Sequence, residues 1–242
     1  HDLLKSRHAV CTKRYSPLAG EVTAGIFVGD YDYVLDLLDR CYFPTREGVA
    51  NFHDNFVDAL ILAGEEKIAE GKVEQAVTLY KKAFTYPENH QVFLVDERAT
   101  HDAQINYCLG EAYAALGQDA EAEKYWKLAA EQDYELKGSK DFRYWTGLAL
   151  ERLGRKAEAE AIFSARVADG EAAVVTQHVN FYGAEGTTGV TVDIINSAAY
   201  YTQALGHLGL GHRGKAKRLF AEVQRLKPDH LWANEFMKQF EK

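Results

Sequence analysis

The sequence places a histidine before an aspartate twice, at His53–Asp54 and at His101–Asp102. Such pairs can bind a metal that activates water for hydrolysis, but a metal centre needs further ligands at defined helical spacings. The chain has no HExxH and no CxxC motif to supply them. We therefore expect these histidines to pack or cap near helix starts, where an aspartate meets the positive end of a helix.

Other catalytic groupings are equally unsupported. Carboxylates are abundant because the chain is acidic, so pairing two of them for glycoside hydrolysis would be arbitrary. The sequence also has no glycine-rich phosphate loop after a strand and no nucleophile elbow. We expect a chain that is not an enzyme and that uses no cofactor and no metal.

Charge and composition restrict the remaining functions. The 242 residues carry a net charge of −8, which disfavours nucleic-acid binding. Residues 1–17 differ, with four basic side chains against one aspartate, and we interpret them as a basic N-terminal segment. No apolar stretch is long enough to span a bilayer and no signal peptide is visible, so a cytoplasmic location is expected. The three cysteines show no pairing pattern and are expected to be reduced.

A repeated pattern indicates what holds these residues in place. A glycine is followed five residues later by a small residue and, four residues after that, by a ring. Four good copies and one degenerate copy occur: Gly71/Ala76/Tyr80, Gly117/Ala122/Trp126, Gly154/Ala159/Phe163, Gly211/Ala216/Phe220 and Gly29/Val34/Leu38. Self-similarity at intervals near those of helical repeats predicts an array of helix pairs.

Elementary sterics explain these positions. The first glycine can take positive φ and end a helix without penalty. A second glycine stands seven residues before it in three copies (Gly64, Gly110 and Gly147), and we expect it to let two helices cross closely while the ring fills the adjacent space. Three prolines, Pro44, Pro87 and Pro228, fall where second helices should end, whereas Pro17 should precede the first helix.

With these motifs the chain, over roughly residues 18 to 228, resembles tetratricopeptide repeat proteins. The stretches "CYFPTREG", "HDNFVDALILAG", "YPENHQV" and "KAKRLFAEVQRLKPDH" are also similar to the C-terminal repeat region of large bacterial multidomain proteins, which carry a domain of unknown function linked to carbohydrate metabolism. The resemblance implies an all-α fold of helix–turn–helix repeats stacked in a right-handed superhelix. It also implies that the chain can be the repeat module of a larger protein.

We expect residues 18–242 to form about five helix pairs. Two stretches interrupt the pattern, near 87–104 and near 167–193. Beyond Pro228, Trp232, Phe236 and Phe240 recur every four residues, so residues 229–241 are predicted to form a helix that caps the last repeat. A peptide-docking face is the alternative for this helix.

Repeats of this type bind ligands on the concave wall made by their first helices. The register predicts that wall to carry three tyrosines, five carboxylates and one cation: Tyr107, Tyr144, Tyr201, Asp58, Glu65, Glu111, Asp141, Glu151 and Arg152. Packing of the tyrosines against a neighbouring helix is an equal alternative. An exposed wall would suit a protein or peptide segment carrying Lys or Arg. A carbohydrate-binding or accessory module of a larger carbohydrate-active protein is the alternative function, because rings and carboxylates can also hold an oligosaccharide.

Overall fold

The computed structural model describes residues 1–13, 15–44, 52–90, 101–132, 142–176 and 188–241. These residues form thirteen α-helices and no strand, with one isolated bridge between Phe43 and His90. The helices divide into two compact units, His1–Ser139 (unit 1) and Lys140–Lys242 (unit 2). None of the described helices is both long enough and apolar enough to cross a membrane.

Unit 1 contains two short N-terminal helices and three helix pairs. The short helices are α1 (Asp2–Ser6) and α2 (His8–Cys11). The pairs are α3 (Tyr15–Val28) with α4 (Tyr31–Arg40), α5 (His53–Ala69) with α6 (Val73–Lys82), and α7 (Asp102–Ala115) with α8 (Asp119–Ala130). The amphipathic second helices pack a narrow apolar stripe against their partners, and in α6 this stripe consists of Ala76, Val77 and Tyr80.

Unit 2 contains two helix pairs and one further helix. The pairs are α9 (Arg143–Arg152) with α10 (Lys156–Ala173), and α11 (Thr188–Gly209) with α12 (Arg213–Leu226), followed by α13 (Leu231–Lys238). Helices α10 and α11 extend into both ends of the predicted insertion near 167–193. Residues 177–187 of that insertion, and residues 91–100 of the one near 87–104, lie outside the described residues.

The predicted turn glycines are confirmed. All five have positive φ: Gly29 (82°), Gly71 (75°), Gly117 (70°), Gly154 (77°) and Gly211 (74°). At the third turn the N–H of Gln118 donates to the carbonyl of Tyr113 at 2.9 Å, which closes α7 in a Schellman motif. An L-residue at Gly117 would have to adopt the strained left-handed conformation.

The close helix crossings are also confirmed. A Cβ atom added to Gly64 would overlap the ring of Tyr80, and the same holds for Gly110 with Trp126 and for Gly147 with Phe163. The small residue in each first helix therefore makes room for the ring of the second helix. With the positive-φ turns, this repeated packing confirms the predicted all-α fold of helix–turn–helix repeats.

The N-terminal helices dock on α3 and α4 through a buried carboxylate. Glu21 of α3 is fully buried and accepts hydrogen bonds from the hydroxyl of Tyr33 and from Nδ1 of His8, the latter at 3.1 Å. Burial and the bond to Glu21 raise the pKa of Tyr33 far above its usual range. Helix α3 begins at Tyr15, so Pro17 lies in its first turn rather than before it, where a missing N–H costs nothing.

Candidate functional site

The predicted site residues lie on four first helices. Asp58 and Glu65 are on α5, Tyr107 and Glu111 on α7, Tyr144, Glu151 and Arg152 on α9, and Tyr201 on α11. Asp141 lies outside the described residues. The set is divided between the two units, and each unit brings its own members together in a different way.

In unit 1 the predicted carboxylates lie on α5 and α7, the first helices of two successive pairs, which contact each other. Glu65 is exposed and Glu111 is half-buried, where its Oε1 accepts a hydrogen bond of 3.1 Å from Nε1 of Trp126. The pKa of the buried Cys108 thiol is raised well above its usual value, first by burial and then by the charges of Glu65 and Glu111. Tyr107, the residue before Cys108 in the sequence, is half-buried. We call Asp58, Glu65, Tyr107 and Glu111 the acidic face of unit 1.

A histidine at the start of α7 lies at one end of this face. Nε2 of His101 is 3.4 Å from Oδ1 of Asp54. Burial would lower the pKa of His101, but the hydrogen bond to Asp54 and the charge of Asp58 outweigh it and raise the pKa. The carboxylates of Asp54 and Asp58 therefore favour a protonated imidazole. The contact between Asp54 and His101 joins α5 to the start of α7.

The other predicted histidine is neutral. His53, the first residue of α5, stacks on Tyr86 with ring centroids 4.2 Å apart. Burial, followed by the charge of His101, lowers the pKa of His53 to about 4. Both histidines lie at helix starts as expected, and the side chain of His101, the N-cap residue of α7, makes no capping hydrogen bond there. Among the described residues no group of three or more His, Cys, Asp and Glu side chains could hold a metal ion.

In unit 2 one ring joins the two predicted tyrosines. Phe236 of α13 lies with its centroid 5.8 Å from Tyr144 and 6.5 Å from Tyr201. It also stacks on Phe220 of α12 at 5.2 Å. Tyr144 is consequently only 5% exposed, and Phe236 only 4%. We call Tyr144, Trp145, Tyr201 and Phe220 the aromatic face of unit 2, and α13 covers it.

Most side chains of this contact were not among the predicted site residues. Trp145 of α9 lies 6.2 Å from both Trp232 and Phe236 of α13. The His230 ring lies 4.4 Å from that of Tyr201, and its Nδ1 accepts from the N–H of Ala233, which caps α13. The four-residue spacing of Trp232 and Phe236 was the available signal. Glu151 and Arg152 are exposed about two turns beyond Tyr144 along α9.

No protein-family model and no curated protein matches the chain. A solved structure described as "Crystal structure of YrrB: a TPR protein with an unusual peptide-binding site" matches 97% of each chain. The two chains are 17% identical and superpose with a TM-score of 0.33.

Proposed function

We propose that this chain is a non-catalytic protein-interaction module whose acidic face in unit 1 binds a partner segment carrying Lys or Arg. The observation behind this proposal is that Glu65 of α5 and Glu111 of α7 lie on first helices that contact each other, and that the charges of both raise the pKa of the Cys108 thiol. The partner is a separate protein or another part of a larger multidomain chain.

The chemistry of the face favours a basic segment. Glu65 is exposed, and Asp58 and Glu111 retain partial exposure. Tyr107 is half-buried and stands four residues before Glu111 on α7, so it shares that side of the helix. An amphipathic tyrosine is a common anchor of protein interfaces, because it buries a large area at a small cost in conformational entropy. Carboxylates around such an anchor accelerate association with cationic partners and reject acidic ones. Because these groups are not fully buried, their contribution should weaken as salt increases.

A charge-reversal experiment tests the proposal. Random peptide libraries are panned on the immobilised chain, and selected peptides are measured against Glu65→Lys/Glu111→Lys. The matched control is Glu160→Lys/Glu171→Lys, which reverses two exposed carboxylates on α10 and changes the net charge equally. We expect the selected peptides to be rich in Lys or Arg, and their affinity to fall on the order of tenfold or more in the first variant only.

Equal binding of the selected peptides to both variants would contradict the acidic face as the site. An oligosaccharide array probed with the same three proteins addresses the alternative function. Glycan binding that is lost in the Glu65/Glu111 variant, with no peptide selected, would replace the peptide proposal by carbohydrate recognition.

A further inference from the structure

Helix α13 lies on the aromatic face of unit 2 as a bound helix lies in a groove. Two of its aromatic side chains, Trp232 and Phe236, are four residues apart and therefore share one side of the helix. Phe236 contacts rings on α9, α11 and α12, and Trp232 contacts α9 through Trp145. An amphipathic helix that inserts spaced anchors into an apolar groove is a recurring form of helix recognition.

We propose that the aromatic face of unit 2 is a helix-binding site, that α13 occupies it in cis, and that a partner helix with two bulky aromatic residues four positions apart replaces α13 there. This inference goes beyond the proposed function, because it concerns other residues in the other unit. Either proposal can fail without the other.

The way in which α13 is attached favours its replacement by another helix. The helix has eight residues, which is too short to be stable in isolation, so it becomes disordered once it leaves the face. It is separated from α12 by Lys227, whose φ of −140° and ψ of 83° are not helical, and by Pro228. Within α13 only Ala233 and Phe236 are buried, whereas Trp232 is half-buried.

Further contacts are polar or lie at the two ends of α13, where the rings of His230 and Phe240 approach those of Tyr201 and Phe220. Nε2 of Gln224 donates to Oδ1 of Asn234 at 2.6 Å, and the guanidinium of Arg213 lies 4.9 Å from the ring centroid of Phe240. Lys238 pairs with Glu235 within the helix itself. Two aromatic anchors, flanked by a ring at each end of the helix and by one amide pair, thus describe the chemistry that a replacement helix must reproduce.

Dissociation of α13 from the aromatic face is unfavourable unless another surface replaces it. Phe220 is fully buried and Tyr144 nearly so beneath Phe236, so departure of α13 would expose several large rings together. A contiguous exposed apolar patch of this kind is unfavourable in water, so binding of another apolar surface to it is favoured. Opening is therefore coupled to binding, and α13 sets a threshold that a competing helix has to exceed.

A peptide corresponding to residues 228–242, labelled with a fluorophore, is the probe. Its binding is measured by anisotropy against the wild-type chain and against Trp232→Ala/Phe236→Ala, in which the internal helix has lost its anchors. In the wild type the tethered helix competes at an effective concentration on the order of millimolar. For a peptide with a Kd of about 10 μM we expect about 100-fold tighter binding to the variant than to the wild type.

Two controls assign this binding to the aromatic face. A peptide that carries both alanine substitutions should not bind, and adding Trp145→Ala to the variant chain should remove the binding of the unmodified peptide. Equal peptide binding by wild type and variant, with unchanged helix content, would overturn the proposal. So would a wild-type dimer, detected by light scattering, that the peptide dissociates, because the occupant would then be a second copy of the chain.

A second measurement decides the matter if the double variant does not fold. A protease site is inserted between Lys227 and Pro228 of the otherwise unchanged chain, and the cleaved protein is diluted and passed over a sizing column. We expect a folded chain from which the α13 peptide separates at micromolar dilution and rebinds on concentration. Loss of helical structure on cleavage, or retention of the peptide at nanomolar concentration, would show that α13 is a permanent part of unit 2.

Discussion

Replacing Gly64 by alanine should destabilise the protein, although alanine is the better helix former. Gly64 lies inside α5, where it faces the ring of Tyr80 from α6. An alanine Cβ would stand 2.7 Å from Cζ and 2.9 Å from Cδ1 of that ring, and closer still to Cε1. Separations under 3.0 Å are not tolerated, so the ring or the helix has to move.

The size of the effect follows from two opposing contributions. Alanine gains up to about 1 kcal/mol over glycine in a helix interior. Overpacking a filled core costs about 1 to 3 kcal/mol, and the Tyr80 ring, only 2% exposed, has no open space to retreat into. We expect the free energy of unfolding to fall by about 1 to 2 kcal/mol. Gly20, which is also inside a helix, is exposed and has nothing within 4 Å of an added Cβ, so Gly20→Ala should gain about 0.5 to 1 kcal/mol.

Urea unfolding followed by circular dichroism measures both changes in the full chain. The two variants should shift the midpoint in opposite directions, with slopes equal to that of the wild type. Combining Gly64→Ala with Tyr80→Leu should recover part of the loss, because residues in contact are energetically coupled. A Gly64→Ala protein at least as stable as Gly20→Ala would refute the close-crossing explanation for the small residues.

Three further predictions test other features. Gly117→Ala should lower stability by about 1 kcal/mol in thermal unfolding, because φ at this position is +70°, and Gly117→Asn should lower it less. Tyr33→Phe removes a hydrogen-bond donor from the buried Glu21 carboxylate and should cost about 1 to 3 kcal/mol in urea; an unchanged midpoint would contradict this. The pKa of His53 is about 4 in the folded chain and near 6.5 when unfolded, so the unfolded state binds more protons between these values. The free energy of unfolding should therefore fall, by at most about 3 kcal/mol, as pH drops from 6.5 to 4, and His53→Gln should flatten this decline in urea titrations. His101, whose pKa is raised, acts in the opposite sense: its contribution is complete below its unfolded pKa and is lost as pH rises through its folded pKa.

Much of the fold could be predicted because it rests on local sterics. A glycine such as Gly154 is required by the left-handed turn, and Gly147 by the Phe163 ring, so the residue types themselves report the geometry. The N-terminal segment could not be predicted in this way. Its docking relies in part on Glu21, a buried carboxylate on α3 with half-buried partners on α2 and α4, and nothing in the local pattern distinguishes this residue from a solvated glutamate.

The candidate site was predictable in register but not in its surroundings. Helical spacing assigned Tyr144 and Tyr201 to equivalent positions of successive repeats, and their rings do lie close to a common neighbour. That neighbour, Phe236, was assigned to a cap because its spacing shows only that α13 has an apolar side. Which surface that side covers depends on how the linker after α12 directs the chain, and the sequence does not encode this locally.

The position of α13 also has a mechanical consequence. Most helices of the chain pack on their immediate neighbours along the sequence, so a force applied to the ends would be resisted by one pair at a time. The contact of Phe236 with Tyr144 and Trp145 is different, because it holds α13, the last helix of unit 2, against α9, the first. Under tension from the C-terminus this contact has to break first. Unit 2 therefore starts to lengthen by releasing α13, the helix that covers its aromatic face.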